Sequence, residues 1–212
     1  MMRITRSGKG RRAFLCQSGA LASSVLLAAW RDSGHARSDE LAPTPACVDH
    51  SEQTREQTEG PFFLPSSPQR ASLLEPGIRG ARIVLTGRVL SAQCTRVANA
   101  LLDFWQADDG GAYDVAGFRL RGHQFTDGDG RYRLETIVPG LYPGRTRHFH
   151  VKVQAPHGQI LTTHGQILTT QLYFPGEPRN ARDFLFDRRL LMAIDDRGDR
   201  KTARFDFVVK LA

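Results

Sequence analysis

Tyr142, Arg145, His148 and His150 fall within nine residues, in the run Gly140-Leu141-Tyr142-Pro143-Gly144-Arg145-Thr146-Arg147-His148-Phe149-His150-Val151-Lys152-Val153. The His-x-His pair leads into an apolar alternation, and in a strand residues two apart share a face. Two imidazoles on one face make half of a metal site, suited to zinc, copper, iron or nickel. A nearby phenol narrows that choice. With an unperturbed pKa of ~10, it ligates well only to a hard, strongly polarising ion such as ferric iron. This block points first to an iron enzyme.

The elements that must position these residues read as β-strands. Short alternating runs separated by turn signals are expected at Arg82–Leu90, Ala100–Gln106, Phe118–Thr126, Arg131–Ile137, Phe149–Gln154, Ile167–Phe174 and Ala203–Lys210. One short helix is expected over Asp183–Met192. This spacing predicts an all-β fold, a β-sandwich of two mostly antiparallel sheets with long loops and little helix. Asp127-Gly128-Asp129-Gly130 reads as a hairpin turn. Taken as an EF-hand it would place Val138 where a bidentate Glu is required.

One repeat stands out. His157-Gly158-Gln159-Ile160-Leu161-Thr162-Thr163 recurs unchanged as His164-Gly165-Gln166-Ile167-Leu168-Thr169-Thr170. Seven is odd, so a copy inserted within a paired strand would swap the face of every later side chain. A lengthened hairpin is therefore expected, with Ile160 to Thr163 folded back on Ile167 to Thr170 around His164-Gly165. Gln171 then faces the same way as His148 and His150.

The chain has 212 residues and a formal charge of +7. Residues 1–36 carry Arg3, Arg6, Lys9, Arg11, Arg12 and Arg31 against Asp32, leaving 23 basic and 21 acidic side chains in the other 176 residues. No basic stripe remains for nucleic acid. Arg11-Arg12-Ala13-Phe14-Leu15, an apolar stretch from Ala20 to Trp30, and Gly34-His35-Ala36 read together as a twin-arginine signal segment over residues 1–36. The protein is expected to be exported, periplasmic or extracellular, through the twin-arginine machinery, and to be membrane-anchored where the segment stays uncleaved. Residues 37–58, with Pro43 and Pro45, read as an extended lead-in to a domain over 59–212. Cys47 and Cys94 most simply form one disulfide in an exported domain, two separate buried thiols being the alternative.

Three further segments carry chemistry: Thr58-Glu59-Gly60-Pro61-Phe62-Phe63, Asp103 to Tyr113 (Asp-Phe-Trp-Gln-Ala-Asp-Asp-Gly-Gly-Ala-Tyr), and Thr169-Thr170-Gln171-Leu172-Tyr173-Phe174-Pro175-Gly176. Together with the Tyr-Pro…Arg…His-x-His block, they resemble the intradiol ring-cleavage dioxygenases, the family of protocatechuate 3,4-dioxygenase and catechol 1,2-dioxygenase. The resemblance covers about residues 46–185 and favours the exported single-domain members. It implies a non-haem Fe(III) held by Tyr113, Tyr142, His148 and His150, with Tyr142 and His150 axial. It implies a catechol and O2 as substrates, cleaved between the hydroxyl-bearing carbons to a cis,cis-muconate. Tyr142 then acts as a released ligand and base, Arg145 stabilises charge on the substrate, Gln171 hydrogen-bonds it, and Gly60 and Pro61 line its mouth. Gly144 stands where protocatechuate 3,4-dioxygenase has a tryptophan, which implies a more open pocket. Self-association is left open.

Other residues receive plainer readings. Trp105 is expected in the core, Tyr132 and Tyr173 in the core or pocket wall, His123 on a strand surface, and Asp103, Asp108 and Asp109 as turn formers. Two other function classes remain. A zinc hydrolase using His148 and His150 lacks a third ligand at useful spacing. An exported β-sandwich binding or accessory module, keeping the fold without turnover, is favoured only by the duplicated heptad.

Overall fold

The computed structural model describes residues 52–156, 167–197 and 200–211. The signal segment, most of the lead-in, Cys47 and residues 157–166, which hold the first heptad copy with Ile160 to Thr163 and the expected His164-Gly165 turn, lie outside them. Among the described residues the chain forms nine strands: β1 Arg82–Ser91, β2 Leu101–Trp105, β3 Arg121–Phe125, β4 Arg131–Ile137, β5 His148–Gln154, β6 Leu168–Tyr173, β7 Ala193–Arg197, β8 Arg200–Arg204 and β9 Phe207–Val209. One sheet runs β3-β2-β5-β6 and is antiparallel throughout. The other runs β4-β1-β8-β7, and β8 and β9 both pair parallel to β1. The fold is thus the expected all-β arrangement of two mostly antiparallel sheets.

Alternation explains these strands. In β1, Ile83, Leu85 and Val89 point into the core while Val84, Thr86 and Arg88 are less buried. Leu102 and Phe104 of β2, Leu134 of β4, and Phe149, Val151 and Val153 of β5 belong to the same core cluster. Each fully buried side chain of this size contributes roughly 1.5–3 kcal/mol by leaving water. The turn between β3 and β4 forms at Asp127, whose Oδ1 accepts from the backbone N–H of Asp129 and Arg131. That is the expected hairpin turn.

Several boundaries differ from expectation. The strand expected from Phe118 begins only at Arg121, because Leu120 has a φ of 55° and Arg121 N donates to Phe118 O across a turn. The run Ala203–Lys210 divides into β8 and β9 at Phe205-Asp206, where Phe205 N donates to Thr86 O and the Asp206 side chain accepts from Arg88 N. No helix covers Asp183–Met192. Two 3₁₀ turns, Pro178–Arg182 and Arg188–Leu190, flank a stretch that turns at Phe184-Leu185, where Phe186 N donates to Asp183 O. The Asp183 carboxylate accepts from Leu185 N, Thr146 N and the Arg145 side chain, which holds that stretch against the Tyr142–His148 connection. Strand β7 was not expected. Its polar sequence, Ala-Ile-Asp-Asp-Arg, suits a sheet edge more than a core strand.

Asp103 is not a turn former. It sits within β2, half-buried, and Ser67 Oγ donates to its Oδ1 at 2.8 Å. Burial raises its carboxyl pKa against the opposing pull of Ser67, His123, Lys152 and Arg121. His123 is half-buried rather than on the surface, its Nδ1 lying 2.7 Å from the Ser67 carbonyl. Residues 52–58 of the lead-in are extended and tied to both sheets. Thr54 N donates to Val208 O, Gln57 N to Thr169 O, and the Thr170 hydroxyl to Arg55 O. Cys94 is disulfide-bonded.

Candidate metal centre

Strand β5 carries the two histidines on one face. Its register pairs His150 with Trp105 of β2 and with Gln171 of β6, and His148 with Tyr173. Gln171 therefore shares the face of both imidazoles, as the lengthened-hairpin expectation requires. Each histidine is only 3% exposed. The two Nε2 atoms lie 3.1 Å apart. His148 Nδ1 is 2.7 Å from the Thr146 carbonyl. A carbonyl only accepts, so Nδ1 carries the proton and Nε2 presents a lone pair. Trp105 stacks on His150 at 4.7 Å and 6° and fixes the plane of that ring. Trp105 is a core residue, as expected, and a wall of the site as well. Burial holds His148 down to about 4, against the Thr146 carbonyl, which favours the protonated ring. Burial likewise holds His150 well below its ordinary value, with His148 and Arg145 adding to the effect. Both rings are therefore neutral, the form that ligates metals.

The two tyrosines come from loops. Tyr113 follows β2 and Tyr142 precedes β5. Their loops meet at glycines. A Cβ on Gly140 would lie 2.3 Å from Gly111 N and 2.5 Å from Asp109 O. A Cβ on Gly111 would lie 2.3 Å from Leu141 O. The contact closes through Gly140 N donating to Asp108 O at 2.6 Å. Asp108 is the expected turn former, its Oδ1 accepting from Gly110 N and Ala112 N. The result sets the Tyr113 and Tyr142 rings edge to face at 5.9 Å. Phe62 stacks on Tyr113 at 4.4 Å and meets Tyr142 edge-on at 5.5 Å. The Tyr113 hydroxyl is 3.3 Å from His148 Nε2.

This donor set fits a metal ion. Metal–imidazole bonds of about 2.1 Å meeting near a right angle put their nitrogens about 3 Å apart, close to the separation found here. Burial raises the Tyr113 pKa, and the nearby Arg145 and Arg121 only partly counter it. The protein alone therefore does not ionise this phenol, and a cation facing it would. Among the described residues there is no group of three or more His, Cys, Asp and Glu side chains able to hold a metal. The side chains brought together are the two imidazoles and the Tyr113 phenol, with the Tyr142 ring beside them.

Arg145 reaches the same face. Its Nε lies 3.0 and 2.8 Å from the two Asp183 carboxylate oxygens, and its Nη2 donates to Gln171 Oε1 at 2.5 Å. Gln171 is fully buried, and its Nε2 donates to Thr58 O at 3.0 Å. Tyr173 places its hydroxyl 3.1 Å from Gln171 Oε1 and 2.9 Å from Leu185 O. Burial raises Asp183, and hydrogen bonds from Thr146 N, Leu185 N and Arg145 outweigh it, so the carboxyl stays below its usual range. It remains a carboxylate that anchors Arg145. Gly60 has a φ of +70°, and its Cβ position lies 3.5 Å from the His150 ring, so the predicted mouth segment does reach the site. Pro61 is exposed. No atom lies within 4 Å of a Cβ placed on Gly144.

Two contributors escaped the sequence reading. Asp183 lay inside the expected helix. Arg121, 1% exposed, donates to Phe62 O at 2.6 Å and to Asp114 O at 3.1 Å, and so fixes the residues on either side of the Tyr113 ring. An arginine at an inward position of a strand was its only local signal.

A family model described as a dioxygenase matches residues 58–211. The chain belongs to the intradiol ring-cleavage dioxygenase family. It is 38% identical over 125 residues to the protocatechuate 3,4-dioxygenase beta chain of Burkholderia cepacia, covering 50% of each. It is 25% identical over 212 residues to the catechol 1,2-dioxygenase of Acinetobacter baylyi, covering 86% of this chain and 66% of the relative. The match spans only half the length of the Burkholderia chain, and 35% of a Rhizobium hydroxyquinol 1,2-dioxygenase. Among solved structures, the dioxygenase domain of a dioxygenase carbohydrate-binding protein fusion from Streptomyces sp. SirexAA-E is 53% identical. It covers 76% of this chain and 100% of that one, with a TM-score of 0.71. The 3-chlorocatechol 1,2-dioxygenase of Rhodococcus opacus 1CP is 25% identical, covering 76% and 73%, with a TM-score of 0.67.

Proposed function

We propose that this protein is an active non-haem Fe(III) intradiol dioxygenase that cleaves a catechol with O2 between its two hydroxyl-bearing carbons. Both oxygen atoms enter the product, a cis,cis-muconate-type dicarboxylate. The observation that carries this reading is that His148 Nε2 lies 3.3 Å from the Tyr113 hydroxyl and 3.1 Å from His150 Nε2, with the Tyr142 ring beside Tyr113.

Tyr113, Tyr142, His148 and His150 would hold the ion. When bound, ferric iron supplies activation of a chelated diol towards O2. The protein's own side chains do the rest. The Tyr142 phenolate, half-buried on the loop before β5, would accept a proton from an incoming diol hydroxyl. Arg145, held rigid by Asp183, places a permanent positive charge where negative charge grows on the ring. Gln171, held at both ends by Arg145 and Thr58, presents a preset hydrogen-bonding edge. Phe62 and Trp105 exclude water around the phenol and imidazole faces. The space beside Gly144 admits ring substituents.

The accessory-module alternative drew only on the duplicated heptad, and β6 keeps Gln171 opposite His150 despite it. Export through the twin-arginine route, and a Cys47–Cys94 disulfide, belong to the same reading. Oxygen uptake and muconate absorbance, recorded together on catechol, protocatechuate, hydroxyquinol and larger lignin-like catechols, test it. One catechol should consume a single equivalent of O2 per muconate formed. Iron-loaded protein that consumes no O2 with any of them would refute turnover.

A further inference from the structure

A groove of about 530 Å³ lies on the other sheet, with the end of β3 as one wall. Its floor is the outer face of β1, β4 and β8. Arg88 stands directly opposite Arg131 across the antiparallel β1–β4 pair. Thr86 is flanked by Arg133 on one side and Arg204 on the other. Like charges directly opposite each other in a sheet are destabilising. This arrangement therefore costs the free protein stability, and an anion seated over it would offset that cost.

Carboxylates outside the groove partner three of its four arginines, and Arg88 is the exception. Asp127 is the one acidic residue lining it, and its Oδ1 already accepts two backbone N–H groups. Arg131 pairs with Asp129, Arg133 with Glu135 and Arg204 with Asp206, all outside the lining. The Arg88 guanidinium has no ion pair among the described residues. The wall contributed by β3 adds two features. Gln124, 8% exposed, has a buried side-chain N–H group with no acceptor. Phe125 is 46% exposed. Guanidinium forks match carboxylates bidentately, and an exposed ring beside them provides an apolar contact. A volume of this size would be left largely empty by an inorganic ion.

We propose that this groove binds an organic carboxylate with an aromatic or unsaturated body, the carboxylate on Arg88 and Arg131 and the body against Phe125. The site is separate from the metal centre and does not depend on the dioxygenase reading. Two sources share this chemistry, an aromatic acid from outside and the dicarboxylate product of the proposed reaction.

The test uses the full chain in 0.15 M salt, a concentration of about the physiological ionic strength, with 2-naphthoate as a fluorescent probe and cis,cis-muconate as competitor. Naphthoate should bind. The double variant Arg88→Gln/Arg131→Gln should weaken it by at least about 10-fold, as expected for loss of a charge-assisted pair. Arg145→Ala, in the metal centre, should leave it within about twofold. Arg88→Lys keeps the charge and loses the fork, so binding should weaken severalfold. That variant decides the matter if the double variant does not fold. Displacement by muconate identifies the product as a natural occupant, and no displacement assigns the groove to an external acid. The proposal is overturned if Arg88→Lys or the double variant binds as the parent does, or if Arg145→Ala abolishes binding. It is also overturned if neutral 2-naphthol binds equally, or if phosphate competes equally, which would mark an adventitious ion only.

Discussion

The two histidines and the two tyrosines of the centre are held by different kinds of structure. His148 and His150 stand on a strand paired on both sides, where register alone fixes their face and spacing. Both are almost fully buried. Tyr113 and Tyr142 stand on loops that meet through bare backbone at Gly111 and Gly140, and both are only half-buried. On the proposed reading, both imidazole ligands sit on the rigid element, and Tyr142, the one ligand to be released, sits on a loop. The same division applies to the surrounding polar groups. Gln171 is fixed by β6, whereas Arg145 is fixed by a long-range pair with Asp183.

The largest effect should come from the strand. His148→Ala removes a buried imidazole whose tautomer is already set by Thr146. Iron affinity should fall by more than about 100-fold, beyond the loss seen for removal of an outer partner of a ligand. Metal analysis after dialysis measures it, and iron at full stoichiometry would remove His148 from the centre.

Gly140→Ala attacks the loops and leaves the strand intact. Its Cβ cannot coexist with Gly111 N and Asp109 O at 2.3 and 2.5 Å, so the loops must part. Overpacking of this kind costs about 1–3 kcal/mol. The variant should melt lower and lose visible absorbance while the histidines still retain weakly held metal. Unchanged absorbance would show that the glycine contact does not set the tyrosines.

The strand half of this centre was legible in the sequence and the loop half only in part. His-x-His ahead of an alternation fixes a common face whatever the rest of the fold does. The Asp-Gly turn after β3 and the alternation of β1 are equally local. Asp183 and Arg121 were not legible, because each acts on backbone far away in the chain: Thr146 for the first, Phe62 and Asp114 for the second. The helix expected over Asp183–Met192 failed for the same reason. Its first residue is committed to the Tyr142–His148 connection, an interaction that no local pattern records.

Asp183→Asn tests that long-range link. Arg145 would keep its place in sequence but lose its buried carboxylate, which is 1% exposed. Misplacement of a charge-stabilising group by about 1 Å costs on the order of 100-fold in rate, so kcat should drop by roughly that factor with iron content unchanged. Loss of iron together with rate would instead make Asp183 a structural support of the metal ligands. The smallest effect is expected from deleting residues 164–170, one copy of the heptad. Strand register at Gln171 is set by pairing with His150, so turnover should stay within about twofold. A large loss would mean that β6 has come to depend on the copy.

The most direct measurement is the visible spectrum of the full chain reconstituted with ferrous salt in air, beside Tyr142→Phe. Two phenolates on ferric iron should give a burgundy charge-transfer band at one iron per chain, weakened or blue-shifted in Tyr142→Phe. A colourless protein that retains no iron would contradict the assignment of Tyr113, Tyr142, His148 and His150 as the metal ligands.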